Sequence, residues 1–128
     1  MIKKLNAEEL ALLAKSILAK GECHVCDPVA YAGWDSVPSS FDFESLELIA
    51  TLKSSDSEET WEEHHPNGTS IWSPDAPIAI NFHPYNRCDV YQCKKCSKLY
   101  LSYTEYGGYY IDKRIRVLDP SLIVDLAN

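Results

Sequence analysis

The chain reads as a single α+β domain over residues 1–128, with an N-terminal helix packed on an antiparallel β-sheet and a zinc-ribbon-like four-cysteine site stapling the two. Three observations predict it. A helical apolar stripe is confined to the first 20 residues. Segments rich in Thr, Ile, Val and Tyr, punctuated by turn residues, dominate from residue 46 onward. Two CxxC pairs, CHVC at 23–26 and CKKC at 93–96, tie the first region to the second.

The helix is written in both its stripe and its caps. Leu10, Leu13, Ala14, Ile17 and Leu18 recur at i, i+3, i+4, i+7 and i+8, with Glu8, Glu9, Lys15 and Lys20 toward water. Asn6 is placed as N-cap with Glu9 completing a capping box, and Leu5 with Leu10 can form a hydrophobic staple. Gly21 is placed to end the helix through a left-handed C-cap.

From Asp27 to Ser40, Pro28, Gly33 and Pro38 predict an irregular connection anchored by Tyr31 and Trp34. LELIATL at 46–52 predicts the first strand, although FESLELIATL also fits a short helix. TWEEHHPNGTSIW at 60–72 predicts a hairpin turning at Pro66, Asn67 and Gly68, and PIAINF at 77–82 predicts an apolar strand. CDVYQ, KLYLSYTE and YYIDKRIRVL complete the antiparallel set, with Tyr106, Gly107 and Gly108 turning the last hairpin. Asp119 and Pro120 stand as N-cap and N1 of a short closing helix, PSLIVDLA.

Composition bounds the class of molecule. With 128 residues and 45% hydrophobic content the chain can fill one modest core. It contains no run of 18 apolar residues, and MIKKLNAEEL carries charges where a secretory signal needs an apolar stretch, so the expected compartment is the cytoplasm, with no membrane partner. In that reducing compartment five cysteines point to metal rather than disulfides.

Two residues between ligands let both sulfurs of a CxxC reach one tetrahedral ion, so Cys23, Cys26, Cys93 and Cys96 are the expected ligands of one Zn²⁺. Four thiolates leave no open coordination position, which makes the site structural rather than catalytic. Two other readings stay open: a thioredoxin-type redox pair, and reduced thiols packed without metal. The second pair, and the strand expected from Lys98 to Thr104, favour the metal. Cys88 is the odd cysteine, read as a buried free thiol with an alternate ligand as the other option.

His64 and His65 beside Glu62 and Glu63, with His83 and His24, raise the question of a hydrolytic site. No HExxH, GxSxG, phosphate loop or DxD pair accompanies them, and the expectation is no enzyme.

The formal charge of −7 is unevenly spread: residues 35–64 carry a net −8 and residues 87–116 a net +4. Asp56, Glu58, Glu59, Glu62 and Glu63 surround Trp61, the composition of a surface that captures a basic partner. Lys94, Lys95, Lys98, Arg114 and Arg116, interleaved with tyrosines, form the alternative: a zinc-ribbon nucleic-acid or transcription-associated module. The overall acidity argues against nucleic acid. A redox or metal-dependent enzyme is the third reading.

A small acidic chain without catalytic motifs, carrying an acid-rich aromatic segment, resembles the bacterial immunity proteins of polymorphic and contact-dependent growth-inhibition toxin systems. The resemblance implies a non-enzymatic protein that neutralises a basic, nuclease-type toxin domain. Asp56, Glu58, Glu59, Trp61, Glu62 and Glu63 would then be its contact surface.

Overall fold

The computed structural model describes residues 2–17, 23–53, 62–106, 109 and 111–124. They form β1 (Lys3–Lys4), α1 (Ala7–Ser16), β2 (Asp35–Ser36), β3 (Leu46–Thr51), β4 (Ile78–Ala79), β5 (Asp89–Cys93), β6 (Leu99–Tyr106), β7 (Ile111–Val117) and β8 (Ile123–Val124). Strands run in the order β1-β3-β5-β6-β7-β2 in one sheet, and β4 pairs with β8 in a second. Within the six-stranded sheet only β1 against β3 is parallel, so the expected α+β class stands with a sheet that is antiparallel for the most part.

The helix starts as its sequence dictates. Asn6 Oδ1 accepts from Glu9 N at 2.8 Å, Glu9 Oε1 accepts from Asn6 N at 3.1 Å, and Lys3 bridges Glu9 at 2.8 Å. Leu5 and Leu10 are buried in the same core, with Leu13, Ala14 and Ile17 packed against it. The helix stops earlier than expected: Ile17 is its C-cap in extended backbone, one turn short of Gly21, which lies with Leu18 outside the described residues.

Two cores sit on opposite faces of the sheet. One, beneath α1, collects Leu10, Trp34, Ile78, Tyr85, Leu101 and Tyr103 among others; the other collects Val29, Leu46, Tyr100, Ile115 and the four paired cysteines. Strand β6 is buried on both sides because Leu99, Leu101 and Tyr103 point into the first core while Tyr100 points into the second. A bulge between Leu48 and Ala50 switches β3 from one core to the other, so Leu46 packs near the cysteines and Ala50 beneath the helix.

Several sequence expectations are corrected. Residues 62–72 form no hairpin: Pro66–Gly68 is a 3₁₀ turn and its flanks are irregular, residues 60 and 61 lying outside the described residues. Of PIAINF only Ile78 and Ala79 are strand. The closing helix is a 3₁₀ turn at Pro120–Leu122, capped by Asp119 Oδ1 accepting from Ser121 N at 2.9 Å, and the chain then enters β8. The 27–40 connection contains the unexpected edge strand β2, with Trp34 buried as an anchor and Tyr31 half-buried.

Candidate metal centre

Two turns of the same construction face each other across the second core. In the first, Asp27 N donates to Cys23 O at 2.9 Å; in the second, Ser97 N donates to Cys93 O at 2.9 Å. Each N–H lies four residues beyond the first cysteine of its pair, so both CxxC segments are folded into the same tight loop. The second loop is the β5–β6 turn, closed by Cys93 N to Lys98 O at 2.9 Å and pinned to the start of β3 by Lys94 N to Ser45 O at 3.0 Å. The first is braced by Asp27, whose Oδ1 accepts from Cys23 N at 3.3 Å, and continues into a 3₁₀ turn that buries Val29 completely.

These loops bring the four sulfurs together. Cys23 Sγ lies 3.9 Å from Cys93 Sγ, Cys26 Sγ lies 3.6 Å from Cys96 Sγ, and all four are within 4.8 Å of one another. A tetrahedron with metal–sulfur bonds of about 2.3 Å has sulfur–sulfur edges of roughly 3.8 Å, so the cluster can hold a single ion. All four cysteines are buried and free. The sequence-derived ligand set and the geometric one are the same four residues.

The electrostatics separate the thiols. The backbone N–H of Cys26, with that of Val25, points at Cys23 and brings its pKa down to about 7. Burial pushes Cys26 and Cys96 upward, so both stay protonated at neutral pH until a cation displaces the protons. Tyr100, fully buried, donates its hydroxyl to Cys26 O at 3.4 Å and supports the first loop from behind. Nothing in the spacing of the sequence marks Tyr100 for this task.

The remaining candidates are distributed elsewhere. Cys88 is a buried thiol in the helix-side core, donating to Pro84 O at 3.3 Å, and burial raises its pKa well above the ordinary value; it is not part of the cluster. His24 is exposed within the first loop; His65 hydrogen-bonds Glu63 at 2.5 Å and His64 lies against Phe82. His83 is buried near Tyr103, and burial holds its pKa below the ordinary value. Of the proposed acidic surface, Glu62 and Glu63 are exposed, while Asp56, Glu58, Glu59 and Trp61 lie outside the described residues.

The basic set proposed for nucleic acid is broken up. Lys94 and Lys95 are exposed, but Arg114 is 9% exposed and Arg116 is 0% exposed. Arg116 donates to Tyr85 Oη at 2.9 Å and to Ala76 O and Pro74 O at 3.4 Å. Arg114 donates to Tyr103 Oη at 2.8 Å and Asp112 Oδ2 at 2.9 Å, and stacks over Trp72. Both are committed to internal contacts.

Fold and site together define a mixed-sheet α+β domain with a buried four-cysteine centre able to hold one metal ion. Compared with known proteins, the chain matches no family model, no curated protein and no solved structure. Among the described residues no helix is long and apolar enough to cross a membrane.

Proposed function

We propose that this chain is a non-enzymatic, zinc-stabilised binding protein of the immunity type, neutralising a basic bacterial toxin domain through its acidic segment. The observation that carries the first half is the closed, buried tetrad of sulfurs, with every coordination position of a tetrahedral ion supplied by protein. Zinc is the natural occupant of an all-thiolate tetrahedral site, with iron as the other ion of that geometry. Burial in an apolar core keeps water and substrate from the ion, which suits a staple rather than a catalyst.

The second half rests on charge. Residues 35–64 carry a net −8 in a chain of −7 overall, Glu62 and Glu63 among them are exposed, and so acidic a segment would steer a cationic partner toward the protein. The internal commitments of Arg114 and Arg116 weigh against the nucleic-acid alternative.

Two measurements test the reading separately. Metal analysis of protein purified without added metal is expected to give one zinc per chain, lost in Cys93→Ser; iron would change the ion, and no metal would remove the staple. Co-expression with a toxin encoded beside this gene is expected to give protection that the triple reversal of Glu59, Glu62 and Glu63 to Lys abolishes with zinc retained. Full protection by that variant would remove the surface from the mechanism.

A further inference from the structure

The four clustered cysteines differ in exposure. Cys23 and Cys96 are 6% and 5% exposed, whereas Cys26 and Cys93 are each 1% exposed. The sulfur contacts cross this division: Cys23 Sγ meets Cys93 Sγ at 3.9 Å, and Cys96 Sγ meets Cys26 Sγ at 3.6 Å. Each contact therefore joins a more exposed cysteine to a sealed one, and each joins the first loop to the second. The two contacts share no sulfur, so both can become bonds at once.

Backbone hydrogen bonds hold the sulfurs in this arrangement. Asp27 N to Cys23 O and Ser97 N to Cys93 O close the two loops, Lys94 N to Ser45 O ties the second to the start of β3, and Tyr100 Oη to Cys26 O ties the first to β6. A disulfide has a sulfur–sulfur bond of about 2.0 Å, so each contact needs to shorten by roughly 1.5–2 Å, a movement shared between two side chains that turn about Cα–Cβ. Cys88 stands apart from this set. It is fully buried in the helix-side core, and its Sγ donates to Pro84 O at 3.3 Å.

A reachable sulfur in contact with a sealed one is the arrangement that two-electron oxidation by a peroxide requires: the first meets the oxidant, and the second completes the disulfide. Pairing within each CxxC would give the arrangement of a thiol-exchange motif and would leave the two loops unlinked. Pairing across the loops keeps them tied. The bonds Cys23–Cys93 and Cys26–Cys96 each span 70 residues of chain, the same tie that a shared ion provides.

We propose that the cluster is a peroxide-responsive centre, in which Cys23 pairs with Cys93 and Cys96 with Cys26 as disulfides that release the ion and replace it as the staple. Such regulation rests on the zinc staple proposed above and is independent of the toxin partner. In each pair the more exposed sulfur attacks hydrogen peroxide, keeping one oxygen as the O–O bond breaks and releasing the other as water. The sealed sulfur then displaces the retained oxygen as a second water, and the S–S bond forms. Two thiolates, one hydrogen peroxide and two protons thus give one disulfide and two waters, with two electrons passing from sulfur to peroxide. With both pairs oxidised, no thiolate remains to bind a cation.

The test begins with the metal content of the purified full chain. A chain without zinc fails the staple and the ion-release half of the proposal with it, while the pairing is still decided on the reduced chain. Zinc-loaded protein is then treated with graded hydrogen peroxide, released zinc is followed with a chromogenic chelator, and remaining thiols are alkylated before non-reducing peptide mapping by mass spectrometry. The expected result is loss of the zinc together with two disulfides, Cys23–Cys93 and Cys26–Cys96, and with Cys88 unmodified. Dithiothreitol and added zinc should restore the loaded protein, and Cys88→Ala should leave both the release and the map unchanged. Disulfides within CHVC or CKKC, a disulfide containing Cys88, conversion to sulfinic acids without disulfides, or zinc and thiols retained at peroxide concentrations that oxidise free cysteine would each overturn the proposal.

Discussion

Ser97 sits at φ 73°, in the left-handed region that side chains with a Cβ avoid. The turn demands it: the chain must reverse immediately after Cys96 for Ser97 N to reach Cys93 O and for Lys98 O to meet Cys93 N, and only a left-handed residue closes the loop so tightly. Glycine at this position removes the steric cost of about 1–2 kcal/mol at the price of greater unfolded-state freedom. Ser97→Gly is therefore expected to stabilise the protein by about 0.5–1 kcal/mol, read from chemical denaturation with metal bound. A loss of stability would mean that the serine side chain contributes more than its backbone costs. The cysteines were legible at this scale because CxxC spacing is itself the geometry of the loop. Arg114 and Arg116 were not: alternating with Ile115 and Val117 they read as a solvent face, and their burial depends on Tyr85, Tyr103 and the 74–76 carbonyls arriving from elsewhere.

Among the elements, the segment around 70–76 shows how local turn chemistry can mislead. PNG between Trp-containing flanks has the composition of a hairpin turn, yet the described flanks find no strand partner in each other. The segment lies instead against the loop before β2, where Arg116 takes up the carbonyls of Pro74 and Ala76 and Arg114 covers the Trp72 ring. Gly33 makes the crossing close. A Cβ there would stand 2.7 Å from Trp72 O and 3.1 Å from Ser73 O, both backbone atoms that cannot swing aside. Gly33→Ala is expected to destabilise the protein by about 1–3 kcal/mol through forced separation of the two segments. An unchanged denaturation midpoint would show that the crossing gives way at no cost. Helix α1 and strand β3 were legible because their caps and periodicity are local. The bulge in β3 and the edge strands β1 and β2 were not, because a two-residue strand is defined by its partner.

Over the whole molecule, β6 is shared by two cores, and the four-cysteine cluster closes the second. The ion would join the loop after α1 to the β5–β6 turn across 70 residues of chain, constraining the unfolded state as a long cross-link does. The protonation states give this a measurable signature. Cys23, its pKa lowered to about 7, contributes stability to the metal-free protein that is complete above the ordinary thiol value of 9.0 and lost as pH falls through about 7. Cys26 and Cys96, raised by burial, act in the opposite sense and remain thiols near neutrality. Zinc titrated into chelator-stripped protein at pH 7 should therefore release at least about two protons per ion, measured from the buffer dependence of the binding heat. Release of fewer than about one would exclude these thiols as ligands.

The sequence by itself determined the capped N-terminal helix, the strands of the antiparallel centre and the two CxxC loops whose cysteines cluster, because each is written in spacings of a few residues that local geometry enforces. Tertiary structure alone decided the rest: which face of β7 is buried, where 62–76 lies and the two-sided burial of β6. These depend on groups dozens of residues apart meeting in space, and a hydrogen-bond partner or an opposing charge supplied by a distant segment leaves no mark on the local pattern.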